Sequence, residues 1–148
     1  MPSETPERDK TATRQVVIVD NHPLVRRGLT SLLNNEPDLE VCSESSSRRA
    51  ALEAISASRP DVVITGLTFV DADGLALVAD IRSQYSALPI LVLSMREGSR
   101  WAERALEAGA NGYVGKHEIG ETLLGAVRQV LNGNQYLGPW ASKALGNT

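Results

Sequence analysis

"RPDVVITGLTFVDADG", running from Arg59 to Gly74, decides how the chain folds. Within it "DVVIT" (61–65) is a short apolar run with β-branched side chains, the pattern of a strand buried on both faces. "DG" at 73–74 is the kind of pair that caps and opens a helix. Between them stands Gly66, at the strand end where a sheet of this kind would be expected to present a reactive side chain.

The same pattern repeats on either side. "VVIVD" (16–20), "LEVCSE" (39–44), "PILVLS" (89–94) and "GYVG" (112–115) read as further strands. Between them, apolar residues recur with helical spacing in "NHPLVRRGLTSLLNN" (21–35), "SRRAALEAISAS" (47–58), "GLALVADIRSQY" (74–85), "RWAERALEAG" (100–109) and "IGETLLGAVRQVLNG" (119–133). In the first helix Asn21 is placed to cap and Pro23 to fill the first turn. Five strands alternating with five helices predict an α/β fold: a doubly wound, five-stranded parallel sheet with helices on both faces. Such sheets gather function at the C-terminal ends of their strands, which here are marked by Asp20, Gly66, Ser94 and Lys116.

The chain's 148 residues suit one domain, with ordinary apolar (42%) and charged (22%) fractions that argue against a disordered or membrane class. No apolar run approaches the ~20 residues of a membrane span, and the polar start "MPSETPERDKTATRQ" is unlike a secretory signal, so a cytoplasmic protein is expected. Residues 1–14 read as a disordered leader, 15–133 as the domain and 134–148 as a linker-like tail. The net charge of −3 and the scattered basic residues predict no nucleic-acid surface on this segment. Cys42, the one cysteine, is expected to be a small buried hydrophobe.

The strand-end residues and their neighbours, "VVIVDNHPLVRRGL", "RPDVVITGL", "DG", "ILVLS", "ALEAGANGYVGK" and "LNGNQYLGP", resemble the receiver domain of a bacterial response regulator of the NarL/FixJ type over residues 15–139. The resemblance implies a flavodoxin-like (CheY-like) domain that takes a phosphoryl group from a histidine kinase onto an aspartate beside a Mg²⁺ held by neighbouring acids. It places Asp20 as one member of an acidic pair whose second member is here Asn21, and it places the acceptor at Gly66. It also matches Ser94 and Tyr113 to the switch positions and Lys116 to the phosphate-holding lysine.

One carboxylate facing one lysine would neutralise the pocket, so Mg²⁺ binding is expected to be weak or absent and no cofactor is assigned. Asp73 matches the helix-capping "DG" pair and Asp71 lies several residues past the strand end, so neither is expected to replace an acceptor at 66, and Val70 stands where the family usually has proline. The chain is therefore read as a degenerate receiver, not an enzyme, that acts through a protein partner or an output domain. Trp101 and Tyr113 form the candidate partner surface, and Leu123, Leu124, Val127, Val130 and Leu131 leave room for a homodimer contact or for a tail packing back through Leu137 and Trp140. DNA would be reached only through a helix-turn-helix domain outside this chain; the chain is either free-standing or, as the linker-like end favours, part of a longer transcription regulator. A rival reading is a sensor of a small anionic ligand that fills the vacated pocket and is gripped by Lys116. His22 is expected to serve the helix start or the surface, and His117 to lie at the strand-end edge.

Overall fold

The structure is a computed structural model describing residues 13–69, 73–95 and 99–138. Val70, Asp71 and Trp140, and nearly all of the expected leader, lie outside these residues.

The strands are β1 (Arg14–Val19), β2 (Leu39–Ser45), β3 (Val62–Thr65), β4 (Ile90–Ser94), β5 (Gly112–Gly115) and β6 (Tyr136–Leu137). The helices are α1 (Pro23–Asn34), α2 (Arg48–Ser58), α3 (Gly74–Gln84), α4 (Ser99–Ala108) and α5 (Ile119–Leu131), with one 3₁₀ turn at Lys116–Glu118. The strand order is β2-β1-β3-β4-β5-β6, and every pairing is parallel. The doubly wound sheet is thus as expected, with one strand more than the five read from the sequence. β6 falls in the segment assigned to the tail, so the ordered fold continues to Gly138.

Alternation along the strands sorts two cores. Val17, Val19, Val63, Ile90, Val92 and Tyr113 face α2, α3 and α4 through Ile55, Leu77, Ile81 and Ala105. Val16, Ile18, Val62, Ile64, Leu91 and Val114 face α1 and α5 through Leu29, Leu33, Leu123 and Val127. Leu124, Leu131 and Tyr136 are half-buried against this second core, which accounts for part of the broad apolar face of α5 within the chain itself, while Leu137 packs against the first core. Arg128 holds α5 to the α1–β2 turn through Glu36 at 3.0 Å and Asp38 at 2.8 Å, and this hydrogen-bonded contact lowers the Asp38 carboxyl below its ordinary value of 3.8.

Two local expectations are corrected. Cys42 is exposed: the β1–β2 register passes from Val16↔Val41 to Val17↔Ser43, leaving Cys42 as the extra residue of a bulge on the edge strand. The residue that caps α1 is His22 rather than Asn21, and it caps by backbone conformation with no side-chain bond.

The "DG" pair does what its spacing suggests. Asp73 caps α3 by accepting a hydrogen bond from the Leu75 N–H at 2.9 Å. Gly74 is required because a Cβ there would lie 2.3 Å from Leu67 Cα, where the chain folds back on itself. Asp73 is thereby tied to the helix start.

Candidate functional site

Four strand ends converge at the C-terminal edge of the sheet, on the side where β1 and β3 lie adjacent and the chain's winding reverses. β1 delivers Asp20, β3 ends at Gly66, β4 ends in Ser94, and β5 runs through Gly115 into Lys116. Asp20 is buried to 1% exposure, an unusual setting for a carboxylate, which must be paired to be tolerated there.

Asp20 is held from several sides. Its N–H donates to Ser45 O at 2.9 Å, its Oδ1 accepts from the His22 N–H at 2.8 Å, and its carbonyl accepts from Arg26 Nη1 at 2.7 Å. Oδ2 lies 2.8 Å from Lys116 Nζ, whose side chain is only 8% exposed. That contact is an ion pair out of hydrogen-bond alignment: Oδ2 is fully buried with no hydrogen-bond donor in line among the described residues.

Gly66 gives the carboxylate its space. A Cβ built at Gly66 would come within 2.7 Å of Asp20 Oδ2, 3.4 Å of Asp20 Cγ and 3.7 Å of Lys116 Nζ. No unusual backbone angle requires glycine at this position, which is not among the positive-φ residues. A side chain at this position would have to displace the Asp20 carboxylate.

His22 joins the pair, a role the sequence reading missed. Its Nδ1 lies 3.0 Å from Asp20 Oδ1 and 3.2 Å from Lys116 Nζ, so that nitrogen can donate to the acid or accept from the lysine, but not both at once. His117, the neighbour of Lys116, is exposed at the same edge.

A cavity of about 260 Å³ opens beside the pair, lined by His22, Leu67, Thr68, Leu93, Ser94, Met95 and Lys116. A larger depression of about 540 Å³, with walls including Ile55, Tyr85 and Leu88, lies at the opposite edge, before β3 and β4, away from every strand-end residue. The smaller cavity is the one placed for chemistry.

Ser94 is buried to 2% exposure at the cavity wall. Tyr113 is fully buried in the core that faces α2, α3 and α4, which corrects its expected place on a partner surface: its alternation along β5 turns the ring inward. Trp101 is half-buried against that same core, with the Arg104 guanidinium 5.5 Å from its ring centre.

The convergence of Asp20, Ser94 and Lys116 at the ends of a 2-1-3-4-5 sheet agrees with what family comparison finds. Residues 16–128 match the model of the response regulator receiver domain. The chain belongs to the response regulator receiver family.

This receiver is 37% identical over 131 residues to the DNA-binding transcriptional activator DevR/DosR of Mycobacterium tuberculosis, covering 88% of this chain and 60% of that protein. It is 30% identical over 125 residues to the transcriptional regulatory protein DegU of Brevibacillus brevis, covering 84% of this chain and 53% of that one. It therefore spans little more than half the length of these curated relatives. Among solved structures, a LuxR-family two-component response regulator from Aurantimonas sp. SI85-9A1 superposes with a TM-score of 0.87 at 31% identity, covering 92% of this chain and 97% of that chain. The receiver is thus of the NarL/LuxR type, and no helix among its described residues is long and apolar enough to cross a membrane.

Receivers of this type are expected to hold Mg²⁺, but the residues present do not fit it. Asn21 and Gly66 supply no carboxylate, Asp20 Oδ1 is engaged by His22, and Oδ2 faces a cation. Among the described residues no group of three or more acidic, histidine or cysteine side chains could enclose a metal.

Proposed function

We propose that this chain is a pseudo-receiver: a regulatory module that signals through protein contacts, without aspartyl phosphate, in transcription control. The observation that carries the reading is the position of Asp20 against the space a side chain at Gly66 would take. The acceptor's place has no nucleophile, and the space its side chain would need lies against the Asp20 carboxylate and its lysine. Phosphoryl transfer by the family's route needs an attacking oxygen at the acceptor position and acids to hold a divalent cation; position 66 supplies no oxygen, and the acidic pair is reduced to Asp20, whose oxygens are engaged by His22 and Lys116.

Its setting in transcription control is supported by the names of DevR/DosR and DegU, which are regulators and not enzymes. DNA would be reached through a part of those longer proteins that this chain does not span. A protein partner or output domain would meet the α4 face around Trp101, and self-association through α5 is open to the same kind of contact. A cytoplasmic location fits this role.

The sensor reading has one observation in its favour, the 260 Å³ cavity beside Lys116. It has less support because Lys116 is already matched by Asp20 at 2.8 Å, so an anion would first have to compete with a buried carboxylate.

The test is incubation with acetyl phosphate and Mg²⁺, followed by intact mass measurement and peptide mapping. No phosphoryl adduct is expected. An adduct on Asp20, or within residues 59–74, would overturn the proposal.

A further inference from the structure

We infer that β6 is an output latch whose docking on β5 is set by the state of the Asp20–Lys116 pair. The inference goes beyond phosphorylation independence and does not rest on it, because any signal that moves Lys116 would act the same way.

β6 is only two residues long, Tyr136 and Leu137, opposite Gly112 and Tyr113. Two backbone bonds hold its ends: the Tyr136 N–H donates to Asn111 O at 2.9 Å and the Gly138 N–H to Tyr113 O at 3.0 Å. A strand this short sits at the low end of local stability, where small changes elsewhere shift its docking.

The seam is tight on both sides. A Cβ at Gly112 would lie 2.9 Å from Tyr136 O, and one at Gly138 would lie 2.7 Å from Glu118 Oε1. Glu118 connects this seam to the site: the same Oε1 accepts from the Gly115 N–H at 3.1 Å, closing the 3₁₀ turn that begins at Lys116. One carboxylate oxygen is therefore both the clasp of the turn that positions Lys116 and the wall against which Gly138 rests. A reorientation of the turn that breaks the Gly115–Glu118 bond would release Glu118 beside Gly138.

The coupling should run both ways. Lys116→Ala is expected to speed amide hydrogen exchange at Tyr136 and Gly138, the two amides bonded to the β5 edge, by about tenfold or more beyond any change in the central β1 and β3 amides, which report global opening. Gly138→Ala, which crowds Glu118 from the other end, is expected to release the same amides and to shift the NMR signals of the Asp20 carboxyl and the Lys116 ammonium. Should Lys116→Ala fail to fold, Gly138→Ala carries the test alone. Exchange that rises equally in β1, β3 and β6, exchange that does not rise at all, or a Gly138→Ala variant whose Asp20 and Lys116 signals stay unmoved would each overturn the latch.

Discussion

Lys116→Met is expected to destabilise the domain by about 3–5 kcal/mol, the usual cost of removing one partner from a buried ion pair. Methionine keeps most of the apolar stem, so the loss isolates the charge. Asp20, at 1% exposure, would be left with its Oδ2 facing no cation, and the N–H of His22 serves only the other oxygen. The double variant Asp20→Asn, Lys116→Met removes both charges and should recover most of that loss. Urea unfolding of the two variants and the unaltered chain measures the difference. A Lys116→Met variant within about 0.5 kcal/mol of the unaltered chain would show that the pair is not a structural strut.

Gly66→Asp should not rebuild a working acceptor. It is expected to cost about 1–3 kcal/mol, in the range of overpacking a filled interior, and to leave the chain unphosphorylated. The new Cβ would sit 2.7 Å from Asp20 Oδ2, and that carboxylate is pinned at both oxygens, by the His22 N–H and by Lys116. It cannot retreat without giving up one of them, and a second carboxylate would share a single lysine. Gly66→Ala separates the steric part from the charge. Its cost should fall by at least half in an Asp20→Ala background, where nothing opposes the methyl group. Equal costs in the two backgrounds would mean that Asp20 is not what demands glycine at 66.

These expectations bear on how much the sequence reveals. The strands β1, β3 and β4 are legible because burial on both faces leaves apolar runs with no competing helical period, as in "VVIVD" and "ILVLS". The convergence of Asp20, Gly66, Ser94 and Lys116 is legible because a parallel sheet brings its C-terminal ends together. The possibility of a direct Asp20–Lys116 pair follows from counting charges in the pocket.

Other features depend on contacts that no local pattern encodes. His22 reaches Lys116 across 94 positions of sequence, and its helix-opening "HP" context explains its presence without that contact. Cys42 lies in an alternating stretch that reads as half-buried, but a bulge set by the pairing of β2 with β1 turns it out to solvent. β6 is too short for any periodicity to register, and its existence rests on two glycines that permit close approach, Gly112 and Gly138. Tyr113 lies in a strand of only four residues, and its place in the core beneath α2, α3 and α4 follows from tertiary packing.

On the proposed reading, what would separate this receiver from a phosphorylated one is Asp20 lying against the space a side chain at 66 would take. Loss of a carboxylate at 66 alone would leave a hole; here Asp20, Lys116 and His22 draw together beside it, so a reversal at one position meets resistance from three residues. On the proposed reading, such a regulator would respond to what reaches Lys116, the 260 Å³ cavity or the α4 face.

The most direct measurement is an NMR titration of the full chain with Mg²⁺ and beryllofluoride, following the amides of Gly66, Ser94 and Lys116. No saturable shift is predicted at any of the three, because the ion would find one engaged carboxylate and the phosphoryl mimic would find no acceptor. Saturable, Mg²⁺-dependent shifts at all three would contradict the account.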